Sequence, residues 1–390
     1  MILVIKTKLC PTVEQARLLL ATMEKITEAC NWLALQAFKD KTANKITLQH
    51  SYYRIMREKF GLSSEMTIRA IGKVSTAYKR NKKVQPKFKK HSAIAYDHWM
   101  YSFKAIDQIS VLTLDGRIKM PFVVGDYFRS RLEGKRGQSD LVLKKGKWYL
   151  YVTVEVPEEA QITPKEWMGV DLGIRNLAVD SDGDKHSGDK VEKVRKKQSR
   201  LRFELKSVGT KSSKKKLKKL SGKEKRFRAD TNHTISKTLV SKAKGTGRGI
   251  ALEDLKGINN RGTVRKDQRA SKRNWGFYQL RTFIEYKARL SGVPVGIVSA
   301  YNTSITCPKC DYINKGNRRS QAEFCCKSCG YTDHADHVGA VNIARRATIN
   351  WPIVAAIGRE TKQLDTPPRL VTNRKFSAVI DFVRKSFSPL

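Results

Sequence analysis

The chain has 390 residues, 40% of them hydrophobic, enough to bury a substantial core and build more than one domain, so an unstructured polymer is excluded. Its 78 Lys and Arg stand against 36 Asp and Glu, a formal net charge of +42 that repels itself unless a polyanion sits on it; nucleic acid is the first partner to consider, ahead of a ribosome-associated structural role or a membrane surface. The seven cysteines, five of them between Cys307 and Gly330, are an odd and clustered set that fits a reducing cytoplasm or nucleoid and not a secreted disulfide framework.

The opening MILVIKTKL alternates as a strand does, and Lys6 and Lys8 interrupt it too early for a signal peptide or a membrane span. Pro11 and Thr12 mark a turn, and from Glu14 to Phe38 apolar residues recur at helical spacing through Leu18, Leu19, Met23, Ile26, Ala29 and Leu33. A second helical region runs from Leu48 to Tyr78 and breaks near FGLSS. The basic run KRNKKVQPKFKK follows, Lys79 to Lys90, and its Lys79, Arg80, Lys82, Lys83, Lys87, Lys89 and Lys90 are candidates to touch a phosphate backbone, although most charge runs are solvated surface.

From Ile109 the pattern becomes strand-like. ISVLTLDGRIKMPF reads as two strands about Asp115-Gly116, and LVLKKGKWYLYVTVEV as another pair turning at Lys145-Gly146. Trp148, Leu150, Val152, Val154 and Val156 share one face, which predicts a small half-buried sheet packed against the amino-terminal strand, hence a discontinuous domain. After Pro164 come strands at Met168 to Leu172 and Asn176 to Val179, with a polar turn at Ser181 to Gly183. The lysine-rich stretch from Lys185 to Arg228 keeps helical spacing at Val194, Leu201, Leu205, Leu217 and Leu220, which reads as a basic helical hairpin, with a low-complexity linker as the alternative. A strand from Ile250 to Leu255, a Gly-, Arg- and Lys-rich loop from Asn259 to Arg273, an amphipathic helix beginning at Trp275 and a strand in VPVGIVSA complete an α/β alternation. The aromatic stripe of that helix, with Phe277, Tyr278 and Tyr286, reads mainly as core.

Cys307 and Cys310 form one CxxC knuckle and Cys326 and Cys329 a second. Two such pairs across a short polar loop fit one tetrahedral zinc; Cys326, not Cys325, keeps the spacing, and four sulfurs leave no open position for water. The ion is then a structural clasp whose binding supplies about 10 to 16 kcal/mol of folding energy. Chemistry belongs elsewhere. Asp171 lies between Val170 and Leu172, Glu253 beside Leu252, and Asp336 at the start of a helix with Val338, Val341 and Ile343 on its apolar face. Singly each fits a strand edge or a helix cap. Together they repel unless cations lie between them, and two Mg²⁺ about 4 Å apart would activate a water and stabilise the leaving oxygen at a phosphodiester. Asp254 points to the opposite face of a regular strand and is left out.

GVDLGIRNLAV, ALEDLKGI, NWGFYQLRTFIEYKARLSG, TSITCPKC, the paired knuckles and HADHVGAVNIARR follow one another from Met168 to Arg346. In this order they resemble the TnpB (OrfB) family, the transposon-associated RNA-guided nucleases similar to compact type V CRISPR effectors. The resemblance implies an α/β fold class: an RNase H-like (RuvC-like) nuclease domain with an inserted zinc ribbon, plus a split β-barrel-like wedge domain and an inserted helical recognition domain. The implied division is 1–12 and 96–165 for the wedge, 13–95 for the recognition domain, 166–300 and 333–360 for the nuclease domain with its basic hairpin, 301–332 for the ribbon and 361–390 for a carboxyl-terminal tail.

It further implies Asp171, Glu253 and Asp336 as ligands of two Mg²⁺, one structural Zn²⁺ on the four cysteines, a guide RNA from the transposon end, and double-stranded target DNA with a short flanking motif read by the protein. Arg175 is a candidate to line the strand path. The expected setting is cytoplasmic and nucleoid-associated, without a membrane. Other readings are an RNA-guided repressor that binds without cutting and a DNA transposase. The family often has Asn where this chain has Val338 and Ala where it has Gly339, a difference that bears on the packing of the last helix.

Overall fold

A computed structural model describes residues 1–104, 107–254 and 276–360, with side chains as far as 351. The loop from Asn259 to Arg273, Leu255, Trp275 and the tail 361–390 lie outside the described residues. The chain forms two compact units, Met1–Pro157 and Glu158–Leu390.

In the first unit, strand β1 (Ile2–Leu9) is followed by three helices, α1 (Val13–Lys39), α2 (Lys45–Phe60) and α3 (Ser64–Arg80), then by β2 (Ile94–Tyr96), β3 (Tyr101–Phe103), β4 (Gln108–Thr113), β5 (Gly116–Val123), the short α4 (Asp126–Arg129), β6 (Ser139–Lys144) and β7 (Lys147–Glu155). Thr12 starts α1 with a capping box, its hydroxyl accepting from the Gln15 N–H while Gln15 reaches back. Gly61, with φ of 62°, ends α2 at FGLSS where the sequence breaks. The strands make one seven-stranded sheet in the order β2-β6-β7-β1-β5-β4-β3. The amino-terminal strand is therefore inside the sheet, antiparallel to β7 along its full length from Ile2 opposite Glu155 to Leu9 opposite Trp148. That corrects the expectation of a small sheet packed against it. β2 and β3 were not foreseen, because three residues are too few to display an alternation.

The second unit is an α/β sandwich. Its strands are β8 (Trp167–Asp171), β9 (Asn176–Asp180), β10 (Lys185–Ser187), β11 (Gly249–Glu253) and β12 (Val295–Val298), in the order β10-β9-β8-β11-β12. The first three neighbours run antiparallel, while β8, β11 and β12 run parallel. Three helices, α5 (Asp189–Val208), α6 (Lys211–Leu220) and α7 (Lys223–Gly245), stand where a hairpin was expected, and a strand, β10, occupies the start of the lysine-rich stretch. Gly209, with φ of 65°, and Gly222, with φ of 80°, make the two breaks. α7 and α8 (Phe277–Leu290) cover one face of the sheet, burying Ile235, Leu239, Phe277, Leu280 and Ile284 against Met168, Val170, Ile250 and Leu252. Of the aromatic stripe, Phe277 is core as read, but Tyr278 is 47% exposed and Tyr286 half-buried, so the expectation that the stripe is mainly core holds for Phe277 alone among its described members. The other face takes α9 (Ala335–Glu360), whose Ile343 and Ala347 pack on Trp167, Ala251 and Val298. Among the described residues no helix is long and apolar enough to cross a membrane.

Gly169 in β8 sets how closely α9 can lie. A methyl group there would stand 1.9 Å from the Ala340 carbonyl oxygen and 2.6 Å from the Ala344 nitrogen, both backbone atoms of α9. Gly169→Ala is expected to destabilise the chain by about 3 kcal/mol or more, since overpacking against backbone cannot be relieved by a rotamer change. A melting temperature within a degree of wild type would overturn that account of the contact.

Candidate functional site

Asp171 and Glu253 are the last residues of neighbouring parallel strands whose register sets Leu252 opposite Val170, so the two carboxylates leave the sheet at one end. Asp336 is the second residue of α9, and the close seat at Gly169 brings that helix's first turn over β8. One turn along, a methyl group at Gly339 would lie 3.4 Å from Asp171 Oδ2, an ordinary contact, so Gly in place of Ala opens a little space beside the carboxylate. Val338 is buried with Cys307, Phe324, Cys326 and Ala335, so the other difference from the family falls in the packing under the cysteines.

Burial, reinforced by the charges of Glu253 and Asp336, pushes the Asp171 carboxyl up to about 8, against Arg318 and the Leu172 N–H, which favour the carboxylate. Burial also raises Glu253, opposed by the Thr303 hydroxyl that donates to its Oε1 and by the nearby charges of Arg346 and Arg318. Asn176 Nδ2 donates to Asp336 Oδ2 at 2.9 Å, and Arg318 Nη2 lies 3.6 Å from Asp336 Oδ1. Asn176, Thr303 and Arg318 were not singled out from the sequence. Asn176 stands inside GVDLGIRNLAV, but a polar residue opening a strand carries no sign of its partner; Arg318 is one of several basic residues in a polar loop.

The three carboxylates are coupled without forming a single-ion cage. Among the described residues, the only group of three or more potential ligands whose atoms all lie within 4.8 Å of one another is Cys307, Cys310, Cys326 and Cys329. Cys307 Sγ and Cys329 Sγ are 3.7 Å apart, and Cys310 Sγ and Cys326 Sγ 3.5 Å. A tetrahedral ion with metal–sulfur bonds of about 2.3 Å needs sulfurs about 3.8 Å apart, so these two pairs are already near that spacing and the quartet is close to fitting one such ion. Burial opposes ionisation of Cys326, yet the Cys329 and Ser328 N–H groups together with the Cys310 and Cys329 thiols outweigh it and bring that thiol down to about 6. Cys325 is buried on β13 (Glu323–Cys325) opposite Thr332 of β14 (Thr332–His334) and stays out of the quartet. At the centre of this ribbon Asn317 is fully buried, donating to the Ile305 and Tyr312 carbonyls and accepting from the Lys327 N–H. Its neighbour Arg318 is thereby aimed at Asp336.

Of the remaining candidates, Arg175 is exposed in the turn between β8 and β9, four residues past Asp171. Asp254 pairs with Arg281 of α8 at 3.6 Å. Lys79, Arg80, Lys82, Lys83, Lys87, Lys89 and Lys90 are all exposed in the first unit, where Asn31 of α1 pins the run by exchanging two hydrogen bonds with the Phe88 backbone. Lys90 lies 3.2 Å from Glu24.

Fold and site define an α/β protein with an electrostatically coupled carboxylate centre at one sheet end and a four-cysteine ribbon beside it. Residues 150–259 match a family model described as OrfB_IS605, probable transposase, and residues 277–343 one described as the Cas12f1-like TNB domain. Over 217 residues the chain is 35% identical to a CRISPR-associated endodeoxyribonuclease Cas12f1 of Syntrophomonas palmitatica, covering 50% of this chain and 42% of that protein. Over 243 residues it is 32% identical to a putative RNA-guided DNA endonuclease InsQ of Escherichia coli, covering 57% of this chain and 60% of the relative. The chain thus spans about half the length of these curated relatives. A solved structure of a mini-RNA-guided endonuclease, CRISPR-Cas_phi3, shares the fold with a TM-score of 0.57 at 11% identity, over 89% of this chain and 92% of that one. The chain resembles the TnpB (OrfB) family, as its motifs indicated.

Asp171 holds its proton more tightly in the fold than its ordinary value of 3.8 allows. The stabilisation this gives is fully present below the unfolded value and is lost as the pH rises through about 8. Without added divalent ions, wild-type melting temperature should fall by several degrees between about pH 5 and pH 9, and Asp171→Asn should remove much of that fall. A slope unchanged in the variant would place the cost of ionisation on another group.

Proposed function

We propose that this chain is an RNA-guided DNA endonuclease that hydrolyses phosphodiester bonds of target DNA at one RuvC-like site with two Mg²⁺, and that its cysteine quartet holds one structural Zn²⁺. The observation that carries the reading is the convergence of Asp171, Glu253 and Asp336 from two strands and a helix, with burial favouring the proton over the bare charge at Asp171 and Glu253. Such a centre is unfavourable for folding when ionised and becomes favourable with hard cations, for which carboxylate oxygens are the preferred ligands. Parallel β8 and β11, extended by antiparallel β9 and β10, support the RuvC-like form of the fold. The two relatives named as endonucleases support cleavage as the outcome.

Asp171, Glu253 and Asp336 would hold the magnesium ions, which supply Lewis-acid stabilisation of the leaving oxygen and a nucleophilic water at neutral pH. The chain's own contributions are orientation and charge. Asn176 fixes one oxygen of Asp336, Thr303 fixes one of Glu253, and Arg318 sets a guanidinium beside Asp336, where it eases ionisation of Asp171 and Glu253 and would face an incoming phosphate. A closed Cys₄ set with no open position suits zinc as a clasp, and the soft thiolates separate it from the hard-oxygen site. The guide RNA would read the target by pairing, while Lys79 to Lys90 and Arg175 hold backbones. Wedge and recognition roles for the first unit belong to the same proposal.

A second reading comes from the family description as a probable transposase, since the same carboxylates would serve strand transfer. The products separate the two: hydrolysis leaves free ends, transfer leaves joined strands.

Sequencing RNA that copurifies with the protein, then assaying DNA that matches its variable end, tests the proposal. One enriched RNA and Mg²⁺-dependent cutting are expected. Loss of several kcal/mol of charge stabilisation in Asp171→Ala should lower the cutting rate on the order of 10³-fold or more while RNA binding stays close to wild type. Tight target binding without cutting in the wild type would favour the repressor, and loss of RNA binding in the variant would remove Asp171 from the site. Elemental analysis should give about one zinc per chain; a folded, unchelated sample without zinc would defeat the four-thiolate assignment.

A further inference from the structure

Basic charge in the second unit is concentrated on α5 to α7. Between positions 185 and 228 there are 19 Lys and Arg and 4 Asp and Glu. On α5 much of that charge is answered locally. Arg195 lies 2.5 Å from Glu192, Arg200 2.8 Å from Glu204, and Arg202 reaches Glu224 of α7 at 3.0 Å.

α6 differs. Its ten residues, KSSKKKLKKL, contain six lysines and no acid. Lys211, Lys214, Lys215, Lys216, Lys218 and Lys219 are all exposed, and among the described residues none of them forms an ion pair. Spacings of three and four residues put Lys211 beside Lys214 and Lys215, and Lys215 beside Lys218 and Lys219, an arrangement of like charges that works against the helix. Lys211 and Lys214 also sit at its positive end, where the helix dipole disfavours them. The helix is nevertheless held firmly, by the Thr210 cap on the Ser213 N–H and by burial of Ser213 and Leu220. A rigid, unneutralised row of lysines is stable when an extended polyanion of matching charge lies along it, and wasteful otherwise.

We propose that the exposed lysine face of α6 is a binding surface for a nucleic-acid phosphate backbone, separate from the carboxylate centre and from the run Lys79 to Lys90. It deepens the RNA-guided reading by adding a backbone contact, but it concerns binding, so it can stand or fall apart from cleavage. The shared ligand chemistry is the phosphodiester chain; RNA and DNA are distinguished by the experiment. Contacts of this kind carry no base information and act through release of counterions.

The test uses the full chain. Lys214→Gln, Lys215→Gln, Lys218→Gln and Lys219→Gln are combined, with a control in which the same four become Arg. Binding to a fluorescent RNA strand and to a DNA duplex is measured across a salt series. The Gln variant is expected to bind about 10- to 100-fold more weakly, with a plot of log K against log salt shallower by about 2 to 4, while the Arg control stays near wild type. A shallower slope for RNA alone assigns the surface to RNA, for DNA alone to DNA, and for both to a common track. Slopes equal to wild type on both would overturn the proposal, as would a matching loss in the Arg control, which would point to folding and not to charge. If the slope changes as expected but no guided cutting is found, the surface stands and the nuclease reading falls.

Discussion

The contact of α9 with the bare backbone of Gly169 is the constraint on which the candidate site depends. Backbone meets backbone there, so the helix lies closer to β8 than any side chain would permit. That closeness sets the first turn of α9 over the end of the sheet and brings Asp336 into the field of Asp171. The ribbon enters the chain between β12 and α9, so its folded shape also positions that turn. Asn342 of α9 donates to the Thr303 and Thr306 carbonyls at 2.8 Å, and Ala335 and Val338 pack on Cys307, Phe324 and Cys326. A helix fixed from the sheet on one side and from the ribbon on the other leaves little freedom at the acidic end.

A second acidic cluster in the same unit shows what a carboxylate group looks like when its charge is already answered. Asp180, Asp182 and Asp184 surround the Lys242 ammonium at 2.6, 2.8 and 2.7 Å, and Arg248 forks onto Asp182 at 2.6 Å. Partial burial works against the Lys242 charge, but its hydrogen bonds to the three aspartates outweigh that and raise its pKa. Asp182 is pulled well below the usual carboxylate range, chiefly by its hydrogen bonds to Arg248. Here acid and base settle each other and tie the β9–β10 turn to α7. At Asp171 the balance has the opposite sign: burial and like charges dominate over the charge of Arg318, whose guanidinium stands 3.6 Å from Asp336. The Asp180 cluster holds the fold together, whereas the Asp171 cluster stores repulsion.

The difference between these clusters also marks how far the sequence was legible. DSDGDK reads as a polar turn, and nothing in it announces that Lys242, far along the chain, completes it. Strands and helices with a clear period were recognisable, including the break at Gly61 and the amphipathic helix that carries Phe277 into the core. Three-residue strands such as β2 and β10 were not, since they have no period to read. The cysteine quartet was legible from spacing alone, because thiol ligands to one ion impose a local rule on the chain. The carboxylates were visible as charges in apolar settings, but Asn176, Thr303 and Arg318 became visible only when the chain closed, because their partners lie 160, 50 and 18 residues away.

The two candidate metal centres are opposite in design and meet at one helical turn. The ribbon offers four soft sulfurs in a closed set already close to the spacing of one ion, which leaves nothing for a substrate to bind. The carboxylates offer hard oxygens, coupled but too widely set for a single cage. Val338, buried beneath the cysteines, and Gly339, beside Asp171, are consecutive in α9. The departure from the family pattern at these two positions therefore falls where the cysteine ribbon is joined to the carboxylates. A single peptide unit separates the residue that packs under the cysteines from the one that lies against Asp171, so the ribbon and the carboxylates share one turn of helix as their common support.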